Sequence, residues 1–280
     1  MPIKDILLPL VGEPSAAAIT AIEKCTAVAG DIGARITAMA VEQDILVRPR
    51  VAISSDLENT AATEAVRSVS NAHDLLKAFD TAATRFGVPN EQRLERLAVA
   101  DIATNIAVCA RLKDLSIVPV KSHDDQSEKI VEQLIFESGR PVLMCPEEYA
   151  GELATAFDCV VIAWDHTAPA ARAVGDALPW LQAAANVRVI TATDDNTPAE
   201  LASGTALVSH LAEHDINATF EMIKIGGSAV GKVFEAYVKA NAIDLLVMGA
   251  YRHSRLNQIV WGGATKTVIG RPPCWVMMSR

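Results

Sequence analysis

"FDCVVIAWDHTAPAARAVGDAL", residues 157–178, repeats the plan of "KDILLPLVGEPSAAAITAIEKC", residues 4–25. Each stretch has a short apolar strand, then a polar turn, then an Ala-rich helix. A second pair lies further along, where "LLVMGAYRH", residues 245–253, resembles "LSIVPVKSH", residues 115–123. Internal similarity in a constant order indicates a duplicated unit. The chain is therefore predicted to consist of two similar halves.

Each half also ends on a matching strand, since "PPCWVMM", residues 272–278, resembles "RPVLMC", residues 140–145. Between these landmarks, apolar runs alternate with helical patterns. Strands are predicted at residues 6–10, 36–41, 92–97, 115–120, 142–145, 159–163, 187–192, 219–224, 245–248 and 275–278. Strands that alternate with helices form βαβ units, and hence a parallel sheet with helices on both faces. The prediction is an α/β fold of two tandem five-stranded parallel-sheet domains.

The predicted domains are residues 1–148 and 156–280, joined by the linker "CPEEYAGELATAF" at 145–157. The first half is longer, and most of its excess falls at residues 48–68, predicted to be a polar loop or a helical extension. Repeated domains with exposed edge strands tend to bury those edges against each other. We therefore expect the halves to pack as a pseudo-dimer, joined through the final strands, 142–145 and 275–278.

Composition excludes several classes of function. The chain has 280 residues, a formal net charge of -9 and 50% hydrophobic residues. A negative chain of this kind argues against nucleic-acid binding, which requires clustered Lys and Arg. No uncharged apolar stretch approaches the length of a membrane-spanning helix, so a cytoplasmic protein without membrane contact is expected. The five cysteines are scattered without a C-x-x-C pair, so neither zinc nor disulfide chemistry is indicated.

A partial phosphate-loop motif occurs in "KIGGSAVGKVF", residues 224–234, where Gly226 precedes Gly231 and Lys232 at the required spacing. The next residue, Val233, lacks the hydroxyl that would hold magnesium. The motif also follows the third strand of its half, and no later strand ends in the Asp that such enzymes need. The glycines are therefore interpreted as a strand-to-helix turn, with Lys232 solvated in the first helical turn.

A stronger candidate site lies in "VMGAYRHSRLNQIVWGGATKTVIGRPPCWVMM", residues 247–278. A strand runs into Gly249, a polar loop follows, and the glycines of residues 262–265 open the last helix, where backbone N–H groups favour an anion. Asp165, which follows the first strand of this half, would reach the same crevice at the carboxyl ends of the strands. The alternative is that Asp165 is a helix N-cap and the glycines only turn the chain.

These residues resemble the universal stress protein family, and two such halves resemble its tandem form. Members that bind ATP carry Gly-x2-Gly-x9-Gly-Ser/Thr after the fourth strand and an Asp after the first. The resemblance implies an adenine nucleotide alpha-hydrolase-like fold and a site for ATP or another adenine nucleotide, with magnesium only as its companion. The site residues that it implies are Asp165, Gly249, Arg252, His253, Gly262, Gly263, Ala264 and Thr265.

The sequence departs from the family motif in both halves. Arg252 replaces the second glycine, and Gly263 stands in the Ser/Thr position, although Thr265 could supply a hydroxyl. In the first half, Gly12 replaces the aspartate, Pro119 replaces the first glycine, and the following segment has no glycine. The nucleotide site of the first half is therefore expected to be lost. That half is expected to be a scaffold or a built-in dimer partner.

Two other groups of residues would indicate functions other than nucleotide binding. His210, Glu213 and His214 in "HLAEH" fit an inverted zinc-protease motif, but they lie on the polar side of an amphipathic helix. No G-x-S-x-G elbow is present for a nucleophilic triad. Three hypotheses follow: a stress-response protein that binds adenine nucleotide with at most weak ATP hydrolysis, a nucleotide-free scaffold acting through protein partners, and a metal-dependent hydrolase. No metal site is predicted. The sequence does not decide whether the whole chain also forms a homodimer.

Overall fold

The fold was analysed in a computed structural model that describes residues 3–44, 55–148, 157–195, 197–250 and 263–280. Each half contains five strands and four helices within these ranges. The first half contains β1 (Asp5–Leu10), α1 (Ala16–Asp31), β2 (Arg35–Asp44), α2 (Ser55–Phe86), β3 (Asn90–Ala98), α3 (Ile102–Ala110), β4 (Leu115–Val120), α4 (Asp125–Glu137) and β5 (Val142–Pro146). The second contains β6 (Cys159–Ala163), α5 (Ala168–Ala183), β7 (Asn186–Ala192), α6 (Pro198–Ala212), β8 (Ala218–Ile223), α7 (Val230–Ala240), β9 (Leu245–Gly249), α8 (Gly263–Gly270) and β10 (Trp275–Ser279).

The strands form one sheet of ten, in the order β3-β2-β1-β4-β5-β10-β9-β6-β7-β8. Neighbouring strands within each half are parallel. The central strands are apolar almost throughout, because a parallel strand covered by helices on both faces has no solvent side. The predicted α/β architecture is confirmed, and every predicted strand lies within an observed one or overlaps it by all but one residue.

The two halves meet at their final strands. β5 and β10 pair antiparallel, with Met144 opposite Val276 and Leu143 opposite Met277. Successive residues of β10 face opposite sides of the sheet, so Met277 joins the core on one face and Val276 the core on the other. The predicted join through the final strands is confirmed, and it makes both core layers continuous across the halves.

Helices cover both faces of the sheet. The core on one face includes side chains of α1, α2, α5 and α6, and the core on the other includes side chains of α3, α4, α7 and α8. Helix starts follow from local chemistry: the Ser15 side chain caps α1, and Thr197 forms a capping box with Glu200 at the start of α6. These starts lie at the carboxyl ends of the strands.

The excess residues of the first half are helical where the structure describes them. α2 has 32 residues and therefore extends about 48 Å. Of the two predictions for residues 48–68, the helical extension is correct from residue 55 onward. Most of the predicted linker, residues 149–156, lies outside the described residues. Within the described part of the chain, no helix combines the length and the apolar composition needed to cross a membrane.

Candidate functional site

The crevice of the second half lies between the carboxyl ends of β6 and β9. From β6 the chain continues outward to β7 and β8, whereas β9 and β10 lie on the other side. The strand order therefore reverses between β6 and β9, which is where open α/β sheets bind ligands. Asp165 follows β6 and Gly249 ends β9, so both predicted site residues belong to this crevice.

Asp165 shapes the turn before α5, but it is not the helix N-cap. Its Oδ1 accepts hydrogen bonds from the backbone N–H of Thr167 at 3.1 Å and from Thr167 Oγ1 at 2.6 Å. Thr167 is the N-cap, and its hydroxyl accepts from the Ala170 N–H. The N-cap alternative for Asp165 is therefore wrong. The Asp165 side chain is exposed, and no hydrogen bond from a described residue reaches its Oδ2.

Gly249 brings the end of β9 against the start of α5. A Cβ built on Gly249 would lie 2.4 Å from the Ala170 backbone nitrogen and 2.7 Å from the Pro169 carbonyl carbon. A side chain of any size is therefore excluded at this position. The close approach fixes the end of β9 next to the turn that holds Asp165.

α8 begins at Gly263, two residues before the buried Thr265. Gly263 is exposed, and no heavy atom of the described residues lies within 4 Å of the position that a Cβ would occupy. The first turn, residues 263–266, contains no carboxylate, so the positive end of the helix dipole is not neutralised from within. Of the other predicted site residues, Ala264 is partly buried, while Arg252, His253 and Gly262 lie outside the described residues.

The partial phosphate-loop motif has a packing role. A Cβ on Gly231 would lie 2.6 Å from the Thr267 Cβ, so this glycine allows α7 to pack closely against α8. Gly226 has a φ of 58°, in the left-handed region that favours glycine, and turns the chain after β8. Lys232 is exposed in the first turn of α7. The interpretation as a strand-to-helix turn with a solvated lysine is confirmed.

The histidines of "HLAEH" lie at the opposite ends of the strands from the crevice. α6 ends at Ala212, shortly before β8 begins, so His210 and His214 are near the amino ends of the strands. Their ring centroids are 5.0 Å apart, and His210 is exposed. No group of three side chains that could hold a metal ion occurs among the described residues. These histidines therefore do not share a site with Asp165 or Gly249.

The first half lacks the glycine motif. It contains a cavity of about 560 Å³ at the carboxyl ends of its own strands. Gly12 and Pro119, the residues that replace the motif positions, both line this cavity. It lies where the strand order reverses between β1 and β4. The loss of the nucleotide site therefore stays a prediction, but a crevice is present at its position.

Glu147, directly after β5, is a half-buried carboxylate that lines this cavity. Burial raises the pKa of the Glu147 carboxyl, Lys121 opposes the shift, and Asp124 and Glu148 add to it. Sequence reasoning missed the cavity because the family motif was its only signal. The polar residues that α2 turns toward the crevice, such as Ser68 and Asn71, were the available clue.

Residues 148–280 match the sequence model of the universal stress protein family. Among solved structures, a universal stress protein from Archaeoglobus fulgidus DSM 4304 is 15% identical, with 99% of this chain and 96% of that chain covered and a TM-score of 0.68. A functionally unknown protein from Pseudomonas aeruginosa PAO1 is 14% identical, with 99% and 92% covered and a TM-score of 0.55.

The cytoplasmic domain of a prokaryotic cation chloride cotransporter is 12% identical, with 99% and 96% covered and a TM-score of 0.50. At such identities the likeness of these structures shows the fold alone. No curated protein matches the sequence. The family match rests on the second half, which also holds Asp165 and Gly249. Residues 148–280 are therefore a universal stress protein domain.

Proposed function

We propose that the second half binds ATP or a related adenine nucleotide and that the protein acts as a cytoplasmic stress-response protein. The observation that supports this most directly is the close approach at Gly249, where a Cβ would lie only 2.4 Å from the Ala170 nitrogen at the start of α5. This approach brings the turn of Asp165 and the end of β9 into one crevice. The family match of residues 148–280 supports the same site.

In this proposal each part of the crevice meets a different part of the nucleotide. The backbone of residues 262–265 receives the phosphates, because a helix N-terminus without carboxylates suits an anion. Asp165 accepts hydrogen bonds from ribose hydroxyls or from the adenine amine, through the oxygen that Thr167 does not use. Arg252 forks onto a phosphate, with His253 beside it in the same polar loop. Magnesium would enter only with the nucleotide.

The first half completes the assembly in this proposal. Residues 1–148 and 156–280 are two universal stress protein-like domains that pack as a pseudo-dimer, with β5 and β10 as the shared seam. A partner subunit is not needed to cover the β10 edge, because β5 already does so. ATP hydrolysis, if present, is expected to be weak.

The test begins with nucleotide analysis of protein purified under native conditions, followed by calorimetric titration with ATP. One ATP per chain is expected. Arg252→Gly should weaken binding roughly 10-fold or more, because a hydrogen bond to a charged group contributes about 1.5 to 3 kcal/mol. Lys232→Ala is the matched cationic control, and it should leave the affinity within about twofold since Lys232 is exposed and outside the crevice.

Each contrary result selects a different hypothesis. Tighter binding by Arg252→Gly would make Arg252 a plug of the phosphate site. A large loss in Lys232→Ala would restore the phosphate loop of residues 226–232. No ATP binding by any variant would favour the nucleotide-free scaffold, and loss of a stoichiometric metal on replacing His210 and His214 would favour the hydrolase.

A further inference from the structure

The cavity of the first half has the construction of a small-molecule site. Its floor is apolar and consists of strand ends, including Leu10 and Val41, while α1, α2 and α4 form its walls. The walls carry amide and hydroxyl groups, among them Asn71, Gln126 and Ser15. A volume of about 560 Å³ lies within the range of ligand pockets, which is roughly 300 to 1,000 Å³.

The N-terminus of α4 does not favour a phosphate in this cavity, because a carboxylate of the protein already occupies that helix end. Asp124 caps the helix, and its Oδ2 accepts from the Ser127 N–H at 2.8 Å and from Ser127 Oγ at 2.8 Å. Asp125 and Glu128 add two more carboxylates in the first turn. At the matching position of the second half, α8 begins with Gly263 and has no acidic residue in its first turn. The two crevices therefore have opposite preferences for charge.

The charges that line the cavity also favour a cation. Glu13 and Arg67 form an ion pair and offset each other. The lining then retains Glu64, Asp124 and Glu147 against Lys121 alone. Glu147 is half-buried, and no cation of the described residues lies within ion-pair distance of it. A carboxylate withdrawn from water needs a partner, because burial of an uncompensated charge is costly.

We propose that the first-half cavity is a second binding site, which takes a small polar molecule with a protonated amine and does not take nucleotide phosphates. The amine contacts Glu147, the amide and hydroxyl groups of the walls bind the polar parts of the ligand, and the apolar floor holds its carbon skeleton. This site is independent of the adenine nucleotide proposed for the second half. The two halves then bind ligands of opposite charge at equivalent places.

The test is calorimetric titration of the full chain with glucosamine and putrescine, paired with N-acetylglucosamine and N,N'-diacetylputrescine, which carry no protonated amine. At least one amine should bind at one site per chain, and its acetylated counterpart should bind at least tenfold more weakly. Saturating ATP should not change the amine affinity, because the nucleotide site lies in the other half. Competition by ATP would overturn the assignment to a separate site, whether or not ATP also binds the second half.

Glu147→Gln should weaken binding of that amine at least tenfold. Glu148→Gln is the matched control, because Glu148 is the exposed neighbour and does not line the cavity. Asn71→Phe, which fills the cavity from α2, should abolish binding even if Glu147→Gln fails to fold. The proposal is overturned if no amine binds at millimolar concentration, if the acetylated probes bind equally well, or if Glu147→Gln and Glu148→Gln behave alike.

Discussion

Gly249 shows how one residue can set the geometry of a crevice. It is a glycine because of space, since a Cβ would lie 2.4 Å from the Ala170 nitrogen. Real Cβ atoms do not approach backbone atoms so closely, so a larger residue would push the start of α5 away from β9. That start carries Thr167, which in turn binds Asp165. A displacement at residue 249 is therefore expected to reach the carboxylate.

Gly249→Ala is predicted to lower both stability and nucleotide affinity. Overpacking a tight contact costs about 1 to 3 kcal/mol, and the displaced turn should also weaken ATP binding. Gly175→Ala is the control within α5, because no heavy atom of the part of the chain that the structure describes lies within 4 Å of its Cβ position. That change should stabilise the protein by about 0.5 to 1 kcal/mol, since glycine disfavours a helix interior. Urea unfolding measures both, and equal stability of the two variants would contradict the prediction.

At this scale the sequence predicted that Gly249 and Asp165 lie at strand ends, but it did not predict the hydrogen bonds of the turn at Asp165. Gly249 and Asp165 could be selected from their places after apolar strands. Asp and Thr are both good N-caps, however, and the sequence could not decide between Asp165 and Thr167. His166, between them, has a φ of 60°, and the turn made there delays the helix by two residues. Local conformations of this kind have no signature in residue type alone.

A cluster of charged side chains links the beginnings of β1, β2 and β4 in the first half. Asp5, the first residue of β1, accepts from Arg35 on β2 at 3.0 Å and from Lys113, just before β4, at 2.9 Å. Lys113 also donates to Thr37 on β2 at 2.7 Å, and its side chain is only 9% exposed. Burial raises the pKa of Asp5, but the hydrogen bonds from Arg35 and Lys113 outweigh it, so the net shift is downward.

Asp5→Asn is predicted to destabilise the protein in a pH-dependent way. The folded pKa of Asp5 is depressed, so its contribution is present above the unfolded pKa of about 3.9 and is lost as the pH falls through the folded value. At pH 7 the loss should be about 1.5 to 3 kcal/mol, the usual contribution of a hydrogen bond to a charged group, here that of Lys113.

The measurement is the unfolding free energy of wild type and variant across pH. The difference between them should shrink below pH of about 3.9 and disappear below the folded pKa. Asp44→Asn is the control, because the Asp44 pair with Arg96 leaves Arg96 71% exposed and should contribute about 0 to 1 kcal/mol. A pH-independent difference for Asp5→Asn would contradict the role of its ionised form.

Elements were predicted well from the sequence where they are buried on two sides. Long apolar runs mark the strands, because parallel strands under helices have no polar face. The length of α2 and its effect were not predictable, since residues 48–68 read equally as a loop or a helix. α2 contributes Ser68 and Asn71 to one wall of the first-half cavity. The cavity thus depends on the packing of an element whose extent the sequence left open.

On the scale of the whole molecule, the seam between β5 and β10 determines how the halves depend on each other. Leu143 and Met277 are fully buried, and both belong to a core that continues from α2 to α5. On the other face, Met144 and Val276 link the second core in the same way. Separating the halves would expose all four side chains and one edge of each sheet. We therefore expect the halves to unfold in one transition.

A lesion far from the seam can test this coupling. Phe79 of α2 is fully buried in the first half, and Phe79→Ala should cost about 3 to 5 kcal/mol. All four tryptophans, Trp164, Trp180, Trp261 and Trp275, belong to the second half, so their fluorescence reports mainly on that half. Circular dichroism reports on helices of both halves.

If the halves are coupled, Phe79→Ala lowers the urea midpoint of tryptophan fluorescence as much as that of circular dichroism. Lys77→Ala, at an exposed position of the same helix, should leave both midpoints unchanged. Independent halves would instead keep the fluorescence midpoint of the Phe79→Ala variant at the wild-type value while circular dichroism shows an earlier, separate transition.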